Sequence, residues 1–324
     1  MDIIFNDWRI LMICIQMWLA GGNPYGAFPN PLEPDKMIVV GWQAYPPAAL
    51  FIALPFAIIP WPISSILILF LSMASLNQWT RHTAQRSALG WFVVWLPLAQ
   101  GIWLGQTTLL ALVALLWAEQ AAVKQRDTRA GLLLALALLK PQVGFLPIAW
   151  LLATSLWQRR WRLPLSFFAF TLLLWGGALI VTGPQIYTQW FAALNSYNDY
   201  LINQPLIFPP LGPLLVPLAG LVWYRYGRHD FFMLALLINT LIYPLYVLYT
   251  VTAIAVVVIR WNPRWPWYPL LLSWPITIFF FKSPWNIPDV MAINNQLVVA
   301  TALLAILLPQ IPWPWRKSDR VIVP

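Results

Sequence analysis

Apolar residues run through this chain in long blocks, and polar residues collect in short gaps between them. From residue 62 onward eleven apolar segments follow one another. They lie near 62–79, 89–104, 107–123, 130–140, 142–156, 163–182, 207–224, 231–246, 248–260, 266–281 and 293–311. Such a series predicts membrane-spanning helices separated by short loops. Upstream the pattern changes. Residues 8–20 have an apolar helical pattern that stops at Gly21-Gly22. Residues 45–60 (YPPAALFIALPFAIIP) are apolar but carry Pro55 inside and Pro60 at the end. About 14 residues reach only ~21 Å at ~1.5 Å each, short of a ~30 Å hydrocarbon core. This segment is therefore predicted to lie in the interface or re-enter it. Residues 183–206 are partly amphipathic and are expected to cover the same face as the opening stretch.

The pattern gives an all-α polytopic membrane protein with about eleven transmembrane helices. Its expected parts are a surface loop over residues 1–61 with two membrane-surface helices, a helical bundle over 62–315 and a tail over 316–324. Ile3-Ile4-Phe5 reads as the last turn of something longer, so a first span is expected ahead of this chain.

Composition sharpens this. The chain has 324 residues, 60% hydrophobic and 9% charged, with a mean hydropathy of +0.69. Soluble domains carry roughly 25% charge. Thirty prolines and 22 tryptophans point to broken helices and interfacial rings. The lone Cys14 excludes an intrachain disulfide and any cysteine-based metal site, and no metal or cofactor is expected.

The net charge of +9 is a topology signal and does not imply a nucleic-acid partner. Fifteen of the 19 Lys and Arg fall in the loops at 80–88, 124–129, 157–162, 225–230 and 260–265 and in the tail from 316. With the spans above, all six lie on one side, which the positive-inside rule makes cytoplasmic. The opposite side holds six of the ten acids: Asp2, Asp7, Glu33, Asp35, Asp199 and Asp289. The expected setting is a multi-pass plasma-membrane protein whose functional site faces outward and whose C-terminus is cytoplasmic.

Chemistry is sought on that outward side. Asp7 opens the first apolar helix, where a carboxylate either caps the helix or acts as a general base. Glu33 and Asp35 sit in a proline-rich loop, FPNPLEPDKM, as solvated charges or as contacts to a substrate or metal. Lys140 is embedded in LLLALALLKPQVGFLP. An ionisable group at membrane depth points to function because burying it is costly, and a lysine suits phosphate. The alternative is snorkelling to the interface. Gln106, in GIWLGQTTLL, offers an amide to a sugar or phosphate, or packs a helix start. Arg9 and Tyr45 complete the candidate set. His82 and His229 fall on the cytoplasmic side, and no nucleotide-binding glycine loop, GxSxG or HExxH is present.

One ordered set of motifs goes further. An early Asp is followed by a helix ending in GGNPYG, then YPPAALFIALPFAIIP, GQTTLLALVALLW and RAGLLLALALLKPQVGFLPIAWLL with the basic RRWR. Over residues 7–165 this resembles glycosyltransferase family 87 of the GT-C superfamily. The resemblance implies a GT-C-like helical bundle with two membrane-surface helices, here 8–20 and 45–60, and Asp7 as base. It implies a polyprenyl-phosphate sugar donor, typically of mannose, a glycan or glycolipid acceptor, and inversion at the anomeric carbon. Lys140 matches the family's basic residue before proline, and Gln106 its GQ element. Two other readings are a transporter or flippase for a lipid-linked sugar, which needs polar groups through the midplane, and an inactive scaffold homologue.

Overall fold

The computed structural model describes residues 5–30, 35–38, 45–200, 204–243, 247–282 and 287–308. Asp2, Glu33 and the tail from 316 lie outside these residues. Among the described residues the fold is helical apart from one two-stranded antiparallel ribbon, β1 (Phe28–Pro29) with β2 (Met37–Ile38).

The opening stretch forms α1 (Asn6–Leu19), then the ribbon, then α2 (Pro47–Ala53), which tightens into a 3-10 turn over Leu54–Ile58. Trp8, Leu11, Met12 and Ile15 recur at helical spacing along α1 and are all buried. They pack with Leu50 and Ala53 of α2 and with Ile186 and Ala193. Those last two belong to α10 (Gln185–Tyr200), so the 183–206 region does share a core with the opening stretch. The helix ends at Gly21, whose φ of +80° suits glycine. Gly22 N–H bonds the Met17 carbonyl and Gly21 N–H the Trp18 carbonyl, the paired bonds of a Schellman C-cap.

The bundle begins with α3 (Trp61–Ala84), α4 (Trp91–Val94), α5 (Leu96–Leu104) and α6 (Thr108–Val123). It continues with α7 (Asp127–Ala137), α8 (Pro141–Trp157) and α9 (Arg162–Thr182). After α10 come α11 (Gly212–Val222), α12 (Phe231–Ile242), α13 (Ala253–Trp261), α14 (Tyr268–Leu271), α15 (Ser273–Phe281) and α16 (Ile287–Leu307). Prolines open α3, α5, α8 and α11, where the missing N–H would have had no intrahelical partner.

Among the described residues three helices are long and apolar enough to cross a membrane: α3, α9 and residues 290–307 of α16. Helices α5 and α6 together pass the same test but are bent by 114° at the break between them. Among the described residues the other apolar segments expected as spans form shorter helices, so eleven full-length spans are not confirmed. Prolines and glycines divide the helices at Gly105 and at Lys140-Pro141. Ile63, Ile66 and Phe70 of α3 form an exposed apolar stripe, and Leu165, Phe168 and Leu172 of α9 form another. Such stripes suit contact with lipid.

The basic loops gather at one end of the bundle. Arg160 donates to the Ala122 carbonyl at 2.8 Å and pairs with Asp127, tying α6, α7 and the start of α9. Arg260 lies 2.6 Å from Glu119 and 2.7 Å from Asp230, which in turn caps α12 by accepting from Met233 N–H. From this end α6 runs the depth of the bundle to Thr108. Beside it, α8 is broken near Gly144 and Pro147. The Asn239 amide of α12 enters that break. Its Nδ2 donates to the Gln142 carbonyl at 2.9 Å, and its Oδ1 accepts from Leu146 N–H at 3.0 Å. These two backbone groups would bond each other in an unbroken helix. The side chain has replaced that bond, which is one of the recognised causes of a kink.

Two substitutions test the packing. A Cβ at Gly131 of α7 would fall 2.2 Å from Ser166 Oγ and 2.6 Å from the Phe167 nitrogen of α9. Gly131→Ala is expected to destabilise the protein by ~1–3 kcal/mol through overpacking. Asn239→Leu leaves one buried N–H and one carbonyl without partners, at ~1–3 kcal/mol each. Both should lower the thermal transition of the detergent-solubilised protein, and an unchanged transition would contradict the contact in question.

Candidate active site

The site forms where two helix breaks meet the start of α1, at the end of the bundle away from the basic loops. The first break lies between α5 and α6. Gly105 takes φ +68°, its N–H bonds the Ile102 carbonyl, and Gln106 N–H bonds the Gly101 carbonyl. This is the same Schellman arrangement that ends α1. It turns the chain sharply and leaves Gln106 and Thr107 between two helices.

The second break is Lys140-Pro141. A residue before proline is driven out of the helical region, and proline then starts the next helix at its first turn. Lys140 accordingly has φ −132° and ψ 74° and caps α8. Its side chain is buried between the helices at 4% exposure. Nζ donates to Gln106 Oε1 at 2.7 Å and to Thr107 Oγ1 at 3.3 Å. Two aromatic faces complete its surroundings, Tyr45 at 5.3 Å and Tyr249 at 5.5 Å from Nζ to the ring centroids. Thr107 Oγ1 also donates to the Tyr45 phenol at 3.2 Å, and the Tyr25 phenol donates to the Tyr45 carbonyl at 2.8 Å. The ammonium is thus enclosed. Snorkelling is not what this lysine does.

Asp7 enters from α1. The helix is seated by Phe5, whose N–H bonds the Trp103 carbonyl at 2.7 Å, and by Trp8, whose indole N–H donates to Ser64 Oγ at 2.8 Å. Gly105 lets α1 come this close, because a Cβ there would lie 3.1 Å from Trp8 Cβ and 3.2 Å from Phe5 Cα. The N-cap of α1 is Phe5, in a left-handed conformation, with no side-chain capping bond. Neither Asn6 nor Asp7 caps the helix, so the Asp7 carboxylate is not consumed by that role. It is close enough to Lys140 for the two charges to interact. Burial pushes the Asp7 carboxyl up to about 6, and the Lys140 charge opposes that rise. At Lys140, in the turn between α7 and α8, burial pushes the ammonium down to about 7 and the Asp7 charge opposes the fall. Removal from water disfavours both charged forms, and each charge supports the other.

The structure therefore brings together Asp7, Gln106, Tyr45 and Lys140. Arg9 goes elsewhere and stacks on the Trp61 ring at 5.1 Å. Asp35 is exposed in the turn before β2. Glu33 lies outside the described residues, and among the described residues no three His, Cys, Asp or Glu side chains gather as a metal site would require. Sequence reasoning missed Thr107, Tyr25 and Tyr249. Thr107 adjoins the GQ element, and that adjacency was the available signal. Tyr249 lies in the uninterpreted run INTLIYPLYVLYT, where nothing local sets it apart.

Comparison with known proteins bears on this geometry. No curated protein and no solved structure matches the chain. The model of glycosyltransferase family 87 matches residues 42–230, which include Tyr45, Gln106, Thr107 and Lys140. Asp7 lies ahead of that match, and Tyr249 beyond it. With more than half of its length matched, this helical membrane chain belongs to glycosyltransferase family 87 and is a glycosyltransferase.

Proposed function

We propose that the enzyme transfers a sugar, mannose, from a polyprenyl-phosphate donor to a hydroxyl of a glycan or glycolipid, with inversion and with Asp7 as general base. The observation that carries this reading is the convergence of Asp7 and Lys140. They come from distant parts of the chain, on separate elements; α1 seats Asp7 against the Gly105 turn that presents Gln106 and Thr107 to Lys140, near enough for the two charges to interact.

The chemistry follows from the pair. The acceptor oxygen attacks the anomeric carbon as the bond from that carbon to the phosphate oxygen breaks. The acceptor proton passes to the Asp7 carboxylate. The leaving lipid phosphate gains a negative charge, which the Lys140 ammonium offsets. Two of its N–H donors already engage Gln106 and Thr107, and these bonds fix where the third points. Single displacement inverts the anomeric configuration. A phosphate leaves as a weakly basic anion, so the step needs no general acid. Family membership favours transfer over transport of a lipid-linked sugar. By the positive-inside rule the loop-rich basic end is cytoplasmic. The site then faces the extracytoplasmic side of the plasma membrane, and the C-terminus lies in the cytoplasm.

Membranes containing the protein and labelled polyprenyl-phosphate mannose provide the test. Asp7→Asn is expected to reduce transfer by ~10²–10⁴-fold, the range for a lost general base, with normal insertion. Lys140→Met is expected to cost ~10²–10³-fold through the lost charge at the leaving group. Turnover at the wild-type rate by the Asn variant would remove Asp7 from the mechanism. A pH profile gives a second check. Asp7 must be ionised to accept a proton, so kcat/KM should fall as pH drops through about 6, above the usual carboxylate range. An acid limb near 4 would place the base elsewhere. Gly105→Ala should displace α1 and lower kcat by roughly 10²-fold while the fold survives, since small misplacements of catalytic groups are costly.

A further inference from the structure

A crevice of about 490 Å³ opens at the opposite end of the bundle from Asp7 and Lys140, between α3 and α7, with α6 packed against both. Each helix contributes one face to it. Leu110, Ala114 and Trp117 of α6 lie at helical spacing, as do Arg129, Leu133 and Leu136 of α7. Ser75 and His82, seven residues apart, mark the α3 wall. From Leu110 to Lys124 the lining covers about 21 Å along the helix axis. That exceeds half of a ~30 Å hydrocarbon core.

The two ends of the crevice differ in chemistry. Along its length the α6 and α7 walls are apolar, while Ser75, Gln78 and His82 make the α3 wall polar. Its rim carries Lys124, Arg126 and Arg129, all exposed. Arg126 and Arg129 also line an adjoining hollow of about 770 Å³, together with Arg160 and Arg162. Among the described residues the acids at this end are already committed. Asp127 pairs with Arg160, and Glu119 and Asp230 pair with Arg260. The rim therefore presents a net positive charge at the mouth of a slot with two apolar walls.

We propose that this crevice is a binding site for an anionic phospholipid. The acyl chain lies along α6, and the phosphate headgroup sits among Lys124, Arg126 and Arg129. Basic pockets between membrane helices recognise anionic headgroups in this way. The basic rim, where the headgroup sits, is separated from the reaction centre by most of the length of α6, and the inference does not depend on the choice of sugar donor.

The test uses the full chain in mixed micelles of equal phosphatidylglycerol and phosphatidylcholine, with bound lipid read by native mass spectrometry. Wild type should retain phosphatidylglycerol preferentially. Lys124→Gln, Arg126→Gln and Arg129→Gln should each weaken retention about fivefold, and together abolish the preference. Leu133→Trp, which fills the apolar slot, should also release the lipid. Arg81→Gln with Arg264→Gln, exposed cations outside the crevice, should change nothing. Equal loss in that control pair would reduce the effect to general surface charge and overturn the site. Full retention by Leu133→Trp, or displacement by inorganic phosphate, would leave only an anion site. Preferential capture of polyprenyl phosphate over phosphatidylglycerol would assign the crevice to the donor instead.

Discussion

A backbone group freed from a helix inside an apolar bundle has no water to turn to, so every break must be repaired by the protein itself. This constraint shapes the region around the site. At Gly105 the repair is a pair of C-cap hydrogen bonds. At Lys140-Pro141 it is a proline placed where no N–H is needed. At the break in α8 it is the amide of Asn239, delivered from another helix. Each break costs helix length, which is why so few helices here span a membrane unaided. In exchange, each opens a gap into which polar side chains point.

The same reasoning explains how a lysine is kept there. An unpaired ammonium in a protein interior costs several kcal/mol. Hydrogen bonds to a charged group contribute ~1.5–3 kcal/mol each, and a desolvated cation over an aromatic face up to ~2 kcal/mol. Two hydrogen bonds and two rings are therefore of the size needed to offset burial, before Asp7 is counted. At the far end of α6 the cluster of Glu119, Arg260 and Asp230 is built differently. Its charges are satisfied by one another and tie three helices. It holds structure, while the Lys140 cluster keeps its carboxylate partner on a separate, short helix.

Much of this could be read from the chain. The apolar series, the short proline-bound segment at 45–60 and the basic loops follow from composition and periodicity. Lys140 stood out because an ion amid leucines demands a reason. Gln106 stood out through the glycine beside it. The rest depends on three-dimensional return of the chain. Tyr249 and Asn239 sit in runs that look like ordinary apolar helix, and their roles appear only when α12 comes back against α8 and the segment before α13 against α5. Arg9 shows the reverse case. It neighbours Asp7 in sequence, but two residues along a helix turn a side chain to the other side, and it meets Trp61 instead. The count of eleven spans is not confirmed, because several segments already divided at a glycine or proline in the sequence form helices shorter than a full span.

The bond from Lys140 to Gln106 carries a consequence for how such a sequence drifts. Removing either partner alone strands a buried polar group, whereas replacing both with apolar side chains of similar shape is close to neutral for folding. The two positions are therefore coupled by stability, independently of catalysis. A descendant that had stopped transferring sugar would not lose them one at a time. It would lose the lysine and the glutamine together, and that paired erasure would leave a record of lost activity in its sequence.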